Sequence, residues 1–287
     1  MQVRNGNVTL HVTEDGDPSA RPIVLLHGII SSGRTWDWMV PDLAERHWVL
    51  RLDFRGHGQS DRTPNAYMPA DYVADAVAVL EHVGRPCVVL GHSLGGATAA
   101  ALTQQRPDLI VGAVMEDPPL GPRDPDESVS LEGNALLDGF RLMRQSIPTV
   151  QASNVPLDQL IGMLSAAPDT TGAGTFGDML HPDALESMAA GLLSVDPTVL
   201  DPVLDGTMRS FLDPTVALGA PSLIIAADPS KPDAVADPKT AQHYAELSPD
   251  TEVLVVDGAG HLIHDERASR TTFVTAASSF IERLMHR

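Results

Sequence analysis

The sequence predicts an α/β fold: a mostly parallel central sheet flanked by helices, with a helical cap inserted after the strand that follows the nucleophile helix. Three observations carry that expectation. Short apolar runs of strand length alternate with longer segments of helical period up to residue 117. The alternation breaks between Pro118 and Pro214 and resumes from Pro221. Midway through the first block, Gly91-His92-Ser93-Leu94-Gly95 stands between an apolar run and a helix start, the setting in which a strand turns sharply into a helix around an exposed serine.

Taken in order, residues 8–13 alternate in polarity and read as an edge strand. Residues 22–26, Pro-Ile-Val-Leu-Leu, are continuously apolar and read as a buried strand. A helix is expected over 36–46 and a strand over 48–53. Residues 71–83 have helical period, which turns Val73, Ala76, Val77, Leu80 and Val83 toward the sheet. The run 86–90 is the next buried strand. Residues 94–105 form the following helix, its positive end lying beneath the serine. Residues 110–115 make another strand, which ends in Glu116-Asp117-Pro118-Pro119. Helical pieces at 136–146, 157–166 and 184–193 then lie among turn-rich stretches at 120–126 and 170–175. This middle stretch reads as a cap of residues 118–213, set on a core of residues 1–117 and 214–287. Strands at 221–227 and 252–256 and an amphipathic helix at 268–285 complete the core. Repeats and low-complexity tracts are absent from the sequence.

Composition narrows the function classes. The chain has 287 residues and a formal net charge of −19, from 38 acidic and 19 basic side chains. That balance argues against nucleic acid and anionic membrane surfaces as partners. No apolar run approaches the roughly 20 residues needed to span a bilayer, and Met1-Gln2-Val3-Arg4-Asn5-Gly6 lacks the apolar stretch of a signal peptide. The one cysteine, Cys87, sits in an apolar strand and reads as a small core residue. The expectation is a cytoplasmic enzyme, and the bias toward Arg, Ala, Asp and Pro, with Lys231 and Lys239 the only lysines, suggests a bacterial one. Oligomeric state is left open between monomer and homodimer.

The chemistry starts at Ser93. A serine hydroxyl is a weak nucleophile near neutral pH and needs a base to take its proton. His261 is the best candidate, because Asp257-Gly258-Ala259-Gly260-His261 follows the last strand and its glycines let the chain turn onto the same sheet edge. His11, His47, His181, His243 and His286 read as surface loop residues. The run 22–26 ends in His27-Gly28-Ile29. The N–H groups of Ile29 and Leu94 are the candidate oxyanion donors, and His27 is expected to hold the loop.

Together these residues resemble the α/β-hydrolase superfamily along nearly the whole chain. Asp53-Phe54-Arg55-Gly56-His57-Gly58-Gln59-Ser60 matches that family's turn after the fourth strand. Gly258-Ala259-Gly260-His261, followed by His264 and Glu266, matches its histidine loop. The resemblance implies a third member, a carboxylate that orients the histidine. Many relatives carry it after the strand preceding the histidine strand. In this chain that position falls on Ser230, with Asp228 too early and Asp233 too late. A subset carries it after the strand that follows the nucleophile helix, where Glu116-Asp117-Pro118 resembles a group of esterases and lactonases, including some zearalenone-lactone hydrolases. Asp117 is therefore favoured and Asp228 is the runner-up. Glu116 alternates to the other side of the strand end. A plainer role for Asp117 is to cap the turn that follows.

The resemblance implies a serine hydrolase that cleaves a moderately large, mostly apolar carboxylic ester or lactone through an acyl-enzyme. Alternatives on the same residues are a cofactor-free C–C bond hydrolase, a perhydrolase and a non-catalytic ligand receptor. Epoxide hydrolases and haloalkane dehalogenases of this fold use an aspartate at the position of Ser93. No cofactor and no metal is signalled: the histidine loop accounts for His261 and His264, and Gly56-His57-Gly58 lacks the third glycine of a dinucleotide fingerprint. The partner is a small-molecule substrate. Its expected wall comprises Trp36 from the loop after the first buried strand and Phe140, Met143, Leu164, Phe176 and Met188 from the cap.

Overall fold

The computed structural model describes residues 1–121, 135–170, 172, 174–208 and 211–285. Most of the expected turn-rich stretch at 120–126, Thr171, Ala173 and His286 lie outside them. Among the described residues eight strands form one sheet: β1 (Gln2–Asn5), β2 (Val8–Asp15), β3 (Arg21–Leu26), β4 (His47–Asp53), β5 (Cys87–His92), β6 (Ile110–Glu116), β7 (Ser222–Ala226) and β8 (Thr251–Val255). Their spatial order is β1-β2-β4-β3-β5-β6-β7-β8. β1 and β2 pair antiparallel, as do β2 and β4, and every later pairing is parallel. The helices are α1 (Val40–Ala44), α2 (Pro69–Val83), α3 (Leu94–Gln105), α4 (Ala135–Ala152), α5 (Leu157–Ala166), α6 (Phe176–Met179), α7 (Pro182–Ser194), α8 (Asp201–Leu204), α9 (Pro238–Leu247) and α10 (Arg270–Met285).

Burial explains the continuous apolar runs of the central strands. Val24 and Leu26 of β3 join the core beneath α2 and α3, while Ile23 and Leu25 join the core beneath α1 and α10. A strand covered on both faces has no polar side to show. The turn after β4 is tied to α2 by charge: Arg55 donates from Nε and Nη2 to both oxygens of the fully buried Asp75. That pairing is why Asp75 is inside. With Tyr72 and Val79 it is buried where periodicity favoured Val77 and Val83, which are only half-buried.

Four further local expectations needed correction. The helix expected over 36–46 is confined to α1, Val40–Ala44, and a 3-10 turn, Gly33–Trp36, precedes it. Pro41 is tolerated only in a first turn, so the helix restarts around it. β1 was not foreseen, and α4 continues through Pro148 to Ala152. His11, His47 and His243 sit on β2, β4 and α9, with His47 buried. Between β6 and β7 the chain inserts α4 to α8. Among the described residues no helix is long and apolar enough to cross a membrane.

Candidate active site

β5 ends at His92 and α3 starts at Leu94, so Ser93 alone makes the turn. Its backbone sits at φ 52°, ψ −112°, a conformation that costs an L-residue free energy and persists only under surrounding constraint. The constraint is visible. A Cβ on Gly91 would lie 2.2 Å from Gly95 O, and one on Gly95 would lie 2.3 Å from Leu26 O. Ser93 N–H donates to Glu116 O at 2.8 Å. Only glycine fits on either side, which explains the Gly-x-Ser-x-Gly pattern.

His261 reaches this end of the sheet from the loop after β8. Gly258 turns the chain at φ 77°. Gly260 N–H donates to Glu266 Oε1 at 2.8 Å, and burial raises the Glu266 carboxyl to about 7. The His261 carbonyl accepts from His92 Nε2 at 3.0 Å, and the two rings lie 4.7 Å apart, so His261 is held against the neighbour of Ser93. Its Nδ1 donates to Asp117 Oδ2 at 2.6 Å. With Nδ1 carrying the proton, Nε2 of the neutral ring has the lone pair.

Asp117 is fully buried, and its backbone is left-handed at φ 38°. It accepts three backbone N–H groups besides the imidazole: Ala227 and Ala236 at Oδ1 and Val235 at Oδ2, each at 3.0 Å. Four donors match the need of a carboxylate withdrawn from water. Strand register delivers it there. β6 pairs with β7 up to Glu116 opposite Ile225, and Asp117 N–H then bonds Ile225 O at 2.7 Å, which swings the side chain over the end of β7. Asp228, the runner-up, does something else. It accepts from Ser230 N–H at 2.9 Å and Gly258 N–H at 2.8 Å. The Ser230 hydroxyl and these N–H groups lower its pKa to about 2. It holds the loop as a turn cap, and the carboxylate bonded to His261 is Asp117.

A second carboxylate–imidazole pair lies one residue upstream. Glu116, also fully buried, accepts from His264 N–H at 2.8 Å, and His264 Nδ1 stands 2.9 Å from its Oε1. His264 Nε2 is 3.0 Å from Thr35 Oγ1. Burial opposes charge on this ring, but the neighbouring Asp265 and Glu116 carboxylates outweigh it and raise its pKa. Burial also pushes the Asp265 carboxyl up to about 6. Consecutive carboxylates at the end of β6 thus grip two histidines three residues apart. His92, Glu116 and His264 offer ligand-type atoms within 4.8 Å of one another. In this arrangement those groups are bonded to each other or, for His92 Nε2, to His261 O.

The loop after β3 runs against Ser93: a Cβ on Gly28 would stand 2.7 Å from His92 Nδ1 and 3.5 Å from Ser93 Cβ. Two buried histidines hold it. His27 donates from Nδ1 to Gly28 O at 2.7 Å and accepts Phe54 N–H at Nε2 at 3.1 Å. His57 donates from Nδ1 to Arg55 O at 2.9 Å and accepts Ile30 N–H at Nε2 at 3.2 Å. Both bonding patterns require a neutral ring. Burial lowers His27 to about 4, and burial with the neighbouring His27 lowers His57 to about 3. Ile29 is half-buried in this turn, and Leu94 opens α3, so its N–H has no helical partner.

The expected substrate wall divides. Leu164, Phe176 and Met188 share an apolar cluster with Leu262, the residue after His261. Phe140 and Met143 belong to the larger cluster that includes Leu94, Leu120, Ile29 and Ile30. Trp36 does not belong to the wall. It has no exposed surface, stacks on His264 with centroids 4.5 Å apart and lies 6.2 Å from Phe273. It is the last residue of the 3-10 turn Gly33–Trp36 and lies in the core. A cavity of about 620 Å³ opens elsewhere, beside α2, and none of these residues lines it.

The Glu116–His264 pair and the role of His57 were not expected from the sequence. The only signals were a second histidine three residues past His261 and a histidine inside the Asp53 motif.

Comparison with known proteins agrees with this architecture. Residues 23–272 match the model of the alpha/beta hydrolase family. The sn-1-specific diacylglycerol lipase ABHD11 of Mus musculus is 27% identical over 273 residues, 93% of this chain and 83% of that protein. The 2-(acetamidomethylene)succinate hydrolase of Mesorhizobium japonicum is 27% identical over 285 residues, 96% and 93% respectively. Among solved structures, the esterase RhEst1 from Rhodococcus sp. ECU1013 superposes with a TM-score of 0.71 at 24% identity, covering 99% of this chain and 98% of that one. The serine turn, the sheet order and the family match over most of the length place the chain in the α/β-hydrolase family of enzymes.

Proposed function

We propose that this chain hydrolyses a moderately large, mostly apolar carboxylic ester or lactone through an acyl-enzyme on Ser93. The observation that carries the reading is the buried 2.6 Å bond from His261 Nδ1 to Asp117, beside the strained turn at Ser93. His261 Nε2 takes the serine proton as Oγ attacks the carbonyl carbon. The N–H groups of Ile29 and Leu94 hold the resulting oxyanion. Collapse expels the alcohol, protonated by His261, and water activated by the same ring releases the acid. Asp117 stabilises the imidazolium formed in each half-reaction. In a lactone, alcohol and acid leave as one molecule. Residues 118–213 serve as the cap. The apolar cluster of Leu164, Phe176, Met188 and Leu262 suits an uncharged acyl or alcohol group.

The test is a panel of p-nitrophenyl esters of rising acyl length and a matching lactone series, run on wild type and Ser93→Ala. Turnover should fall by several powers of ten in the folded variant and should survive dialysis against EDTA in the wild type. Ester turnover retained by Ser93→Ala sinks the assignment. A wild type inert toward every ester and lactone, yet active on diketones or in peracid formation, moves the function to a C–C hydrolase or a perhydrolase.

A further inference from the structure

We infer that Gly191 of α7 is a positioning residue for the oxyanion turn, and that α7 sets the spacing between that turn and the histidine loop. The inference rests on the role proposed above for the Ile29 and Leu94 N–H groups.

α7 lies directly on the turn. A Cβ at Gly191 would stand 2.6 Å from Ile30 O and 3.2 Å from Ser31 Cα, both backbone atoms with no freedom to step aside. Beneath that contact Ile30, a β-branched residue, is left-handed at φ 62°. Such a conformation persists only when its surroundings over-determine it. His57 holds the Ile30 N–H, the Ser31 N–H closes the turn on Gly28 O at 3.2 Å, and Gly191 covers the Ile30 carbonyl.

The other end of α7 is fastened to the histidine loop. Asp183 pairs with Arg270 at 2.9 Å, and Arg270 Nε donates to His264 O at 2.7 Å. His181 N–H donates to Asp265 O at 3.0 Å, and Arg267 N–H donates to Met179 O at 2.9 Å. Asp183 and Gly191 are eight residues apart along one helix, a span of about 12 Å. Near its middle, Glu186 bonds Arg34 at 2.9 Å. One rigid helix therefore joins the loop that supplies an oxyanion donor to the loop that supplies the base. Both must meet the same carbonyl group. Donors act over a narrow range of distance, and a displacement of about 1 Å costs on the order of a hundredfold in rate.

The experiment compares Gly191→Ala with Gly162→Ala, a control on α5 where an added Cβ meets nothing within 4 Å. Ser93→Ala and Asp183→Asn are run alongside. Readouts are kcat and KM on a p-nitrophenyl ester, affinity for a trifluoromethyl ketone that mimics the tetrahedral oxyanion, and melting temperature. In Gly191→Ala, kcat should fall roughly 10- to 100-fold, ketone affinity should fall in step, and KM should hold within about threefold. The control should match wild type. If Gly191→Ala does not fold, Asp183→Asn decides, with a parallel loss of roughly 3- to 10-fold in kcat and ketone affinity at unchanged KM. Wild-type kcat in the deciding variant, or a loss of kcat without loss of ketone affinity, overturns the inference. Activity retained by Ser93→Ala overturns the proposed mechanism itself.

Discussion

At the scale of single residues, two aspartates near the end of β7 have different work. Asp117 spends one oxygen on two amides and shares the other between Val235 N–H and His261. Asp228 spends both of its oxygens on the loop's own N–H groups. Asp117→Asn should therefore lower kcat by about 10³- to 10⁴-fold, because an amide no longer fixes the proton on Nδ1 or stabilises the imidazolium. Asp228→Asn should keep kcat near wild type. Steady-state kinetics on one ester decide it, and the reverse ranking would move the orienting role to Asp228.

At the scale of elements, the loop after β3 depends on two rings that must stay neutral. The unfolded chain takes up their protons near the ordinary pKa of about 6.5, whereas the folded chain holds them off until about 4 for His27 and about 3 for His57. Between those values the unfolded state binds more protons, so the stability these rings allow is lost as pH falls from about 6.5 toward 4 and 3. Asp265 and Glu266 act in the opposite sense. Burial raises them to about 6 and about 7, so the stability they contribute is present at low pH and lost as pH rises through those values. Replacing His57 by a non-titrating residue separates the two. His57→Asn should melt lower than wild type at pH 7 yet lose less of its melting temperature between pH 6.5 and pH 4. Equal slopes for both proteins would show that the fold does not hold the proton off His57.

At the scale of the whole molecule, the dominant quantity is the formal charge of −19. Such an excess repels itself more strongly in the compact state than in the expanded one. Added salt screens surface charges while leaving buried pairs such as Arg55–Asp75 largely untouched. The melting temperature should therefore rise as NaCl increases from about 0.01 to about 0.3 M. A fall would mean that exposed pairs such as Arg34–Glu186 and Arg283–Glu252 outweigh the net repulsion.

The sequence by itself determined the layered fold and the serine turn. Those features are local: a strand buried on both faces must be apolar throughout, and a turn as tight as Gly91 to Gly95 admits only glycine at its flanks. The family motifs likewise marked His261, because a glycine-rich loop after the last strand has few places to go. For the carboxylate, the family pattern favoured Asp117 over Asp228, and tertiary structure decided which of the two meets that histidine. Asp117 and Ala227 are 110 positions apart, and only the register of β6 against β7 puts the Ala227 N–H under the Asp117 carboxylate. The same holds for Trp36, at the end of the 3-10 turn Gly33–Trp36, whose place beside His264 depends on a contact across more than 200 positions. It holds too for Gly191, whose lack of a side chain has no meaning until α7 lies on Ile30. Short-range sterics and hydrophobic pattern can be read along a chain, but contacts across a hundred residues exist only once strand register and helix packing have brought their atoms together.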